Sequence, residues 1–312
     1  MGRPRPFRFA VQEHRAPSAR AWKDKARQVE SLGYSALYLP DHFTDQLGPI
    51  AALMAAADAT TTLRVGSLVF DNDYRHPVVL AKEAATLDLL SDGRFDLGLG
   101  AGWMASDYEQ AGIPFDGPGT RIGRMEEALQ IIRGLFAGGP FSFAGEHYRI
   151  TNMEGSPLPV QKPHLPILLG GGGRRMLRLA AREADIVNVN FDLREGRVNR
   201  DLVRSGLAEA TDEKLAWIRD AAGDRLDRIE LSVTIFLANI TDDRESIAYA
   251  MAAGLGAQPQ DILDTPHFLI GAVDELVDAL QLRRARYGIS FVIVPGEVAE
   301  QFAPVVAQLA GT

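Results

Sequence analysis

Three clusters of residues in this chain have types and spacing that could do chemistry. The first is Asp41-His42, which directly follows a short apolar run. A histidine placed there can exchange a proton near neutral pH or donate a hydrogen bond to a ring carbonyl. The aspartate can accept from a ligand hydroxyl or orient a neighbour. The competing reading is a histidine that only packs or caps a turn. The second cluster is Gly170, Gly171, Gly172 and Gly173, followed by Arg174 and Arg175. Glycines let backbone N–H groups approach an anion, and a helix opening there favours negative charge. The plain alternative is a flexible turn before a solvated helix face. That alternative suits Arg178 and Arg182, which continue the arginine stripe at four-residue intervals. The third cluster, Gly98-Leu99-Gly100-Ala101-Gly102-Trp103, does not have the G-x-G-x-x-G spacing of a dinucleotide fold. Its glycines can bring backbone close to a flat ring with Trp103 as a wall, or they simply make a tight turn.

Other constellations are absent. The six histidines form no H-E-x-x-H pattern, and there is no G-x-S-x-G elbow and no phosphate-binding P-loop. Asp71/Asp73 and Asp107/Glu109 are paired acids in loops, a common arrangement. With no cysteine, disulfides, thiolate catalysis and cysteine-based metal centres drop out.

These clusters need elements to hold them. Short apolar runs at 7–12, 36–40, 63–70, 95–99, 166–169, 186–190, 229–238 and 290–294 read as eight strands, with helical patterns between them. Ser18 is suited to cap the first helix, and Gly33 to end it. Strands this short and apolar must be covered on both faces. A (β/α)8 barrel does so at 312 residues, and a doubly wound sheet is the second choice. The expectation is one domain over 1–312, with insertions near 138–165 and 191–228. Barrel chemistry sits at the C-terminal strand ends. That rule selects Gln12, Asp41, His42, residues 67–73, 100–107, 170–175 and 188–190, and Pro295.

The formal net charge of −8 argues against nucleic acid or an anionic membrane as partner. No stretch approaches the ~20 apolar residues of a membrane span, and no apolar leader precedes the first strand. A soluble, cytoplasmic protein acting on a small molecule is expected.

The motifs also occur in a telling order: D-H after strand two, V-G-S in strand three, D-G-R-F-D-L-G-L-G-A-G-W at strand four, P-L-P-V-Q-K-P, then I-L-L-G-G-G-G-R at strand five. Over almost the whole chain this resembles luciferase-like monooxygenases, especially the actinobacterial branch that uses coenzyme F420. The resemblance implies a flavin or deazaflavin in the barrel mouth and a homodimer. It implies His42 and Asp41 near the ring, with His42 as the catalytic residue. It also implies a non-proline cis peptide at Ser67-Leu68 behind the ring, and Gly170–Gly173 at the phosphate. Phe70, Gly100, Trp103 and Ser106 complete the expected cofactor site with Arg174 and Arg175, and Phe43 is a further apolar wall. Deazaflavin sugar-phosphate dehydrogenases have glutamate at the position of Trp103 and asparagine at that of Ser106, so a sugar phosphate is not the expected substrate. The resulting expectation is hydride transfer between F420 and an organic molecule. The alternatives are an FMN-dependent monooxygenase fed by a separate reductase, and a non-catalytic flavin-binding protein.

Overall fold

The computed structural model describes residues 5–196 and 200–312. Eight parallel strands form the centre: β1 Arg8–Gln12, β2 Ala36–Leu39, β3 Arg64–Ser67, β4 Phe95–Gly100, β5 Ile167–Gly171, β6 Ile186–Val189, β7 Glu230–Thr234 and β8 Ile289–Pro295. Sequential neighbours pair from β4 through β8, β8 pairs with β1, and β1 through β3 continue the order. Pairing of Val65 with Phe95 and of Gly66 with Asp96 closes the ring. The barrel, rather than the doubly wound sheet, is the architecture.

The helices that wrap it are α1 Ala19–Ser31, α2 Pro49–Ala59, α3 Pro77–Leu90, α4 Pro118–Phe136, α5 Arg174–Glu183, α6 Ala208–Ala222, α7 Val273–Tyr287 and α8 Ala299–Leu309. The Ser18 side chain caps α1 by accepting from the Ala21 N–H, and Gly33 ends it at φ +84°. The buried stripe Trp22, Ala26 and Val29 of α1 faces the core, with the Trp22 indole donating to the Ala52 carbonyl at 2.8 Å. The main core lies between strands and helices, whereas Ala10, Tyr38, Leu168, Phe291 and Ile293 fill the barrel interior. At the N-terminal end, Arg8–Glu230 and Arg64–Asp96 ion pairs close the floor.

Several sequence expectations shift. The run 63–70 is not one strand: β3 stops at Ser67, and a separate two-residue strand, Phe70–Asp71, pairs with the end of β4. The cis peptide is Leu68-Val69, not Ser67-Leu68. Ser67 still pairs with Leu39, and the Leu68 N–H still donates to the Leu39 carbonyl at 2.7 Å, so the ladder holds the earlier linkage and the chain turns one residue later. The run 229–238 likewise splits, because Leu237–Ile240 leaves the barrel to pair with Phe268–Gly271. The segment 138–165 carries an antiparallel hairpin, Pro140–Ala144 with Arg149–Glu154. The segment 191–228 contains α6, which packs against α5 as a member of the helical ring, so less of it is excursion than expected; residues 197–199 of that segment lie outside the described residues.

Candidate active site

A cavity of about 420 Å³ opens at the C-terminal ends of the strands, within the ~300–1,000 Å³ common for small-molecule sites. One wall comes from the segments after β2, β3 and β4, and the other from those after β5 and β6.

His42 reaches the cavity from the end of β2. Its Nδ1 lies 2.7 Å from an Asp107 carboxylate oxygen, and Asp107 is buried in the first turn of the helix Ala105–Ala111. A carboxylate at Nδ1 holds the proton there and leaves Nε2 for the cavity. Trp103 packs its ring at 89° to the imidazole, with centroids 5.8 Å apart, which limits how far the imidazole can turn. This assembly can take or give one proton at Nε2.

Asp41 also lines the cavity, but its carboxylate is occupied. Arg75 pairs with both oxygens, and the Asp71 N–H donates to one of them at 3.1 Å. It therefore fixes the turn after β3 more than it offers a free acceptor. Asp71, beside it, is a carboxyl on the cavity wall with no cation paired to it among the described residues. Burial is the largest cause of its raised pKa; neighbouring Asp73 and Asp41 push the same way, and bonds from the Asp73 N–H and Tyr108 oppose, leaving it at about 7.

Across the cavity, Gly170, Gly171, Gly172 and Gly173 run from β5 into α5. Gly173 is the N-cap of α5, and no side chain caps it, so the first N–H groups of the helix are available to an anion. Gly172 is forced by packing: a Cβ would sit 2.2 Å from the Phe191 carbonyl oxygen. Arg174 is exposed at the rim and has no hydrogen-bond or ion-pair partner among the described residues. Arg175 also lines the cavity, but its guanidinium is engaged. It donates to the Gly119 carbonyl and to Glu126, both at 2.9 Å, so α4 holds it. Arg178 is paired with Asp220 on the outside of α6, a solvated contact.

The remaining expected residues divide. Leu68, Gly100 and Trp103 line the cavity. Ser67 does not, since its hydroxyl is buried against Gly98, donating to that carbonyl at 2.7 Å. Phe70 is fully buried under the Arg75 guanidinium. Ser106 is exposed on the outer side of its helix and is not a lining residue. Phe43 is 54% exposed and stacks on Tyr74 rather than on the cavity. Residues 68, 69 and 71 thus face the cavity, and residues 67 and 70 are buried away from it.

Arg121 lines the cavity although it lies outside every stretch the strand-end rule selects, whereas Asn188 lies within one. Arg121, 20 residues past Ala101, lies buried with its guanidinium donating to the Ala101, Gly102 and Asp116 carbonyls and stacked 4.0 Å over Phe115. It braces the loop that carries Trp103. Asn188, on β6, is held by Ser232 inside the barrel mouth. Asp107 lies within the selected stretch 100–107, but its pairing with His42 was not foreseen. No group of side chains among the described residues is arranged to hold a metal ion, and no helix among them is long and apolar enough to cross a membrane.

With this geometry, comparison with known proteins is informative. The family described as luciferase-like monooxygenase matches residues 5–307. An uncharacterized protein of Mycobacterium tuberculosis is 35% identical over 180 residues, covering 50% of this chain and 61% of that protein. The FMNH2-dependent dimethylsulfone monooxygenase of Pseudomonas putida is 29% identical over 168 residues, 54% of this chain and 45% of that one. The matches thus span less than two thirds of these relatives' own lengths. The structure of the coenzyme F420 dependent tetrahydromethanopterin reductase from Methanopyrus kandleri superposes with a TM-score of 0.77 at 19% identity, covering 98% of both chains. A barrel with its cavity at the C-terminal strand ends, matched to one family over 5–307, places the chain plainly: it belongs to the luciferase-like monooxygenase family.

Proposed function

We propose that this protein is a two-electron oxidoreductase that uses coenzyme F420 to exchange a hydride with a small organic substrate. The observation that carries the reading is the opposition of two features across one cavity. On one side is an uncapped helix N-terminus with the unpartnered Arg174, and on the other a histidine held in one tautomer by Asp107. The first suits a phosphate and a further anionic tail. The second suits proton exchange with a molecule lying between them.

The residues present fit such a cofactor. The N–H groups of the 170–173 loop and α5 would hold its phosphate, and Arg174 would meet charge beyond the phosphate. Leu68, Val69 and Trp103 give the apolar surface a flat ring needs. The bound cofactor supplies the carbon that gives or accepts hydride. The chain supplies position, exclusion of water by its apolar walls, and the proton at His42 Nε2. The proposal keeps the homodimer that the resemblance implies.

A flavin alternative has its own support. Arg175 is tied to α4, which leaves one arginine rather than two for a charged tail, and a single phosphate, as in FMN, needs no more. An FMN enzyme of this kind would depend on a separate reductase. Titrating F420 and FMN into the purified protein, at low and at high salt, decides between them. The expected result is tighter F420 binding that weakens with salt, because surface charge contacts are screened within ~10 Å at moderate ionic strength. Tighter FMN binding, or oxygen-consuming turnover with reduced FMN alone, would select the monooxygenase.

A further inference from the structure

Four aspartates converge where the segments after β2, β3 and β4 meet. Asp41 has Arg75, Asp73 has Arg124 at 2.8 Å, and Asp107 has His42 at 2.7 Å. Asp71 has no cation among the described residues. Its partners are the Asp73 N–H at 2.9 Å and the Tyr108 hydroxyl, which lies 2.9 and 2.8 Å from its two oxygens. It is 7% exposed, and it lines the cavity.

The Tyr108 hydroxyl shows where a proton must be. It is fully buried and also lies 3.2 Å from an Asp73 oxygen. A phenol has one hydrogen to donate. Were both aspartates ionised, that hydrogen would serve one, and the other would face phenol lone pairs in a site shielded from water. One more proton satisfies every contact: a carboxyl O–H donates to the phenol oxygen, and the phenol O–H donates to the second carboxylate. Asp73 is the carboxylate that Arg124 pairs with, and no cation among the described residues pairs with Asp71, so the proton belongs on Asp71. The arrangement is built into the loop above it. Gly102 sits at φ +72°, and a Cβ there would come within 1.8 Å of the Tyr108 oxygen and 2.5 Å of Asp71 Oδ2.

We infer that Asp71 is a second proton-carrying group of the cavity, which holds its carboxyl hydrogen against Tyr108 and delivers it to an acceptor atom of the molecule bound beside His42. Delivery rests on the redox reading above; the held proton does not. In the step, the Asp71 O–H bond breaks and an O–H or N–H bond forms on an oxygen or nitrogen lone pair of the ligand. The electron pair stays on the carboxylate. The Tyr108 hydrogen then turns from Asp73 to Asp71, stabilising the new charge, and water that enters the cavity once the ligand has left returns the proton. Tyr108 is thus a positioning residue able to serve both states.

The surrounding charges agree. From the β2 end come Asp41, spent on Arg75, and His42, spent on Asp107. The segment after β3 brings Asp73 and the neutral Tyr74 phenol, whose pKa burial pushes up. The helix Ala105–Ala111 brings Asp107. From α4, Arg121 is engaged with carbonyls and Arg124 with Asp73 and Asp116. Glu83, on α3, faces Arg75 and Asp41, and burial raises its pKa too. No cation is left for Asp71 among the described residues, in keeping with its titration at about 7.

Infrared spectra of the purified protein without cofactor, in H2O and D2O across neutral pH, test the held proton. A protonated-carboxyl C=O band, shifted in D2O and lost as pH rises through about 7, is expected. It should vanish in Asp71→Asn and persist in Glu83→Gln, the control for the other raised carboxyl nearby. Tyr108→Phe, which removes a donor to the ionised form, should move its midpoint upward. Absence of the band in the wild type, or its survival in Asp71→Asn, overturns the inference even if a cofactor binds. With cofactor bound, Asp71→Asn should lower turnover roughly 10²-fold and flatten the alkaline limb of its pH profile, with cofactor affinity kept. An unchanged profile would refute delivery alone, whatever the identity of the cofactor.

Discussion

His42 is constrained from two directions, and each makes a separable prediction. Asp107 fixes which nitrogen carries the proton, and Trp103 fixes the plane of the ring. If Nε2 exchanges a proton with the substrate, His42→Ala should cut turnover by ~10²–10⁴ while cofactor affinity changes little. Asp107→Asn preserves shape but offers Nδ1 an amide that can donate as well as accept, so the other tautomer becomes populated. Its turnover should fall between the wild type and His42→Ala. Steady-state rates at saturating cofactor check both, and full activity in His42→Ala would remove the histidine from the chemistry. The location of His42 at the cavity was legible because a histidine directly after a barrel strand stands at the mouth. Its contact with Asp107 was not, since the two are 65 residues apart and the helix that carries Asp107 is only Ala105–Ala111, too short for a periodicity signal.

At the scale of elements, the N-terminus of α5 carries the anion argument. Gly173 has an extended backbone, φ −88° and ψ 149°, and a Cβ there would meet Asp192 only at ordinary distance, 3.5 Å. It is therefore a better test position than Gly171, where a Cβ would lie 2.5 Å from the Met176 side chain. Serine and aspartate are both good N-caps, so neither should destroy the helix, but only aspartate repels a phosphate. Like charges at ~4 Å with an effective dielectric of ~20 oppose each other by up to ~4 kcal/mol. Gly173→Asp should weaken cofactor binding tenfold or more, and Gly173→Ser much less, with thermal melting confirming that both fold. Equal affinities would place the phosphate elsewhere. The strands were legible as apolar runs because each is buried on both faces. Their breaks were not: residues 68–70 and 235–237 remain apolar through the turn and the sheet change, and hydrophobicity does not record which neighbour a strand leaves. The P-L-P-V-Q-K-P motif was legible as a landmark but not as a device. Its Val160 and Gln161 N–H groups donate to the buried Asp88 carboxylate at 2.7 and 3.1 Å, and the Gln161 amide ties Asp88 to the Phe95 carbonyl. It pins the returning insertion to α3 and β4 at a distance from the cavity.

For the molecule as a whole, His267 sets a pH limit. It is fully buried, donates from Nδ1 to the Thr234 carbonyl at 3.0 Å, and leaves Nε2 without a partner beside the Phe191 ring. Burial lowers its pKa from 6.5 to about 3. Below pH 6.5 the unfolded chain takes up a proton that the folded chain refuses, so this histidine's contribution to stability is intact above 6.5 and is lost as pH falls toward about 3. The loss reaches about 2 kcal/mol by pH ~5. His267→Phe gives up a hydrogen bond worth ~1 kcal/mol at pH 7 but should show a shallower acid decline. Denaturant midpoints from pH 7 to pH 5 measure this, and parallel curves for the two proteins would show that another group sets the limit. The cavity has a different global property, which follows from its two walls. His42, Asp71 and Trp103 all come from the first third of the chain, and the glycine loop and Asn188 come from beyond the hairpin insertion. The walls are joined at the β4–β5 seam by three residue pairs, Leu97 with Ile167, Gly98 with Leu168 and Leu99 with Leu169. Under the proposed function, grip and reactivity thus fall in separate blocks of the chain, so a chimaera cut within the 138–165 insertion should exchange the reactive half for a relative's while the anchoring half stays as it is.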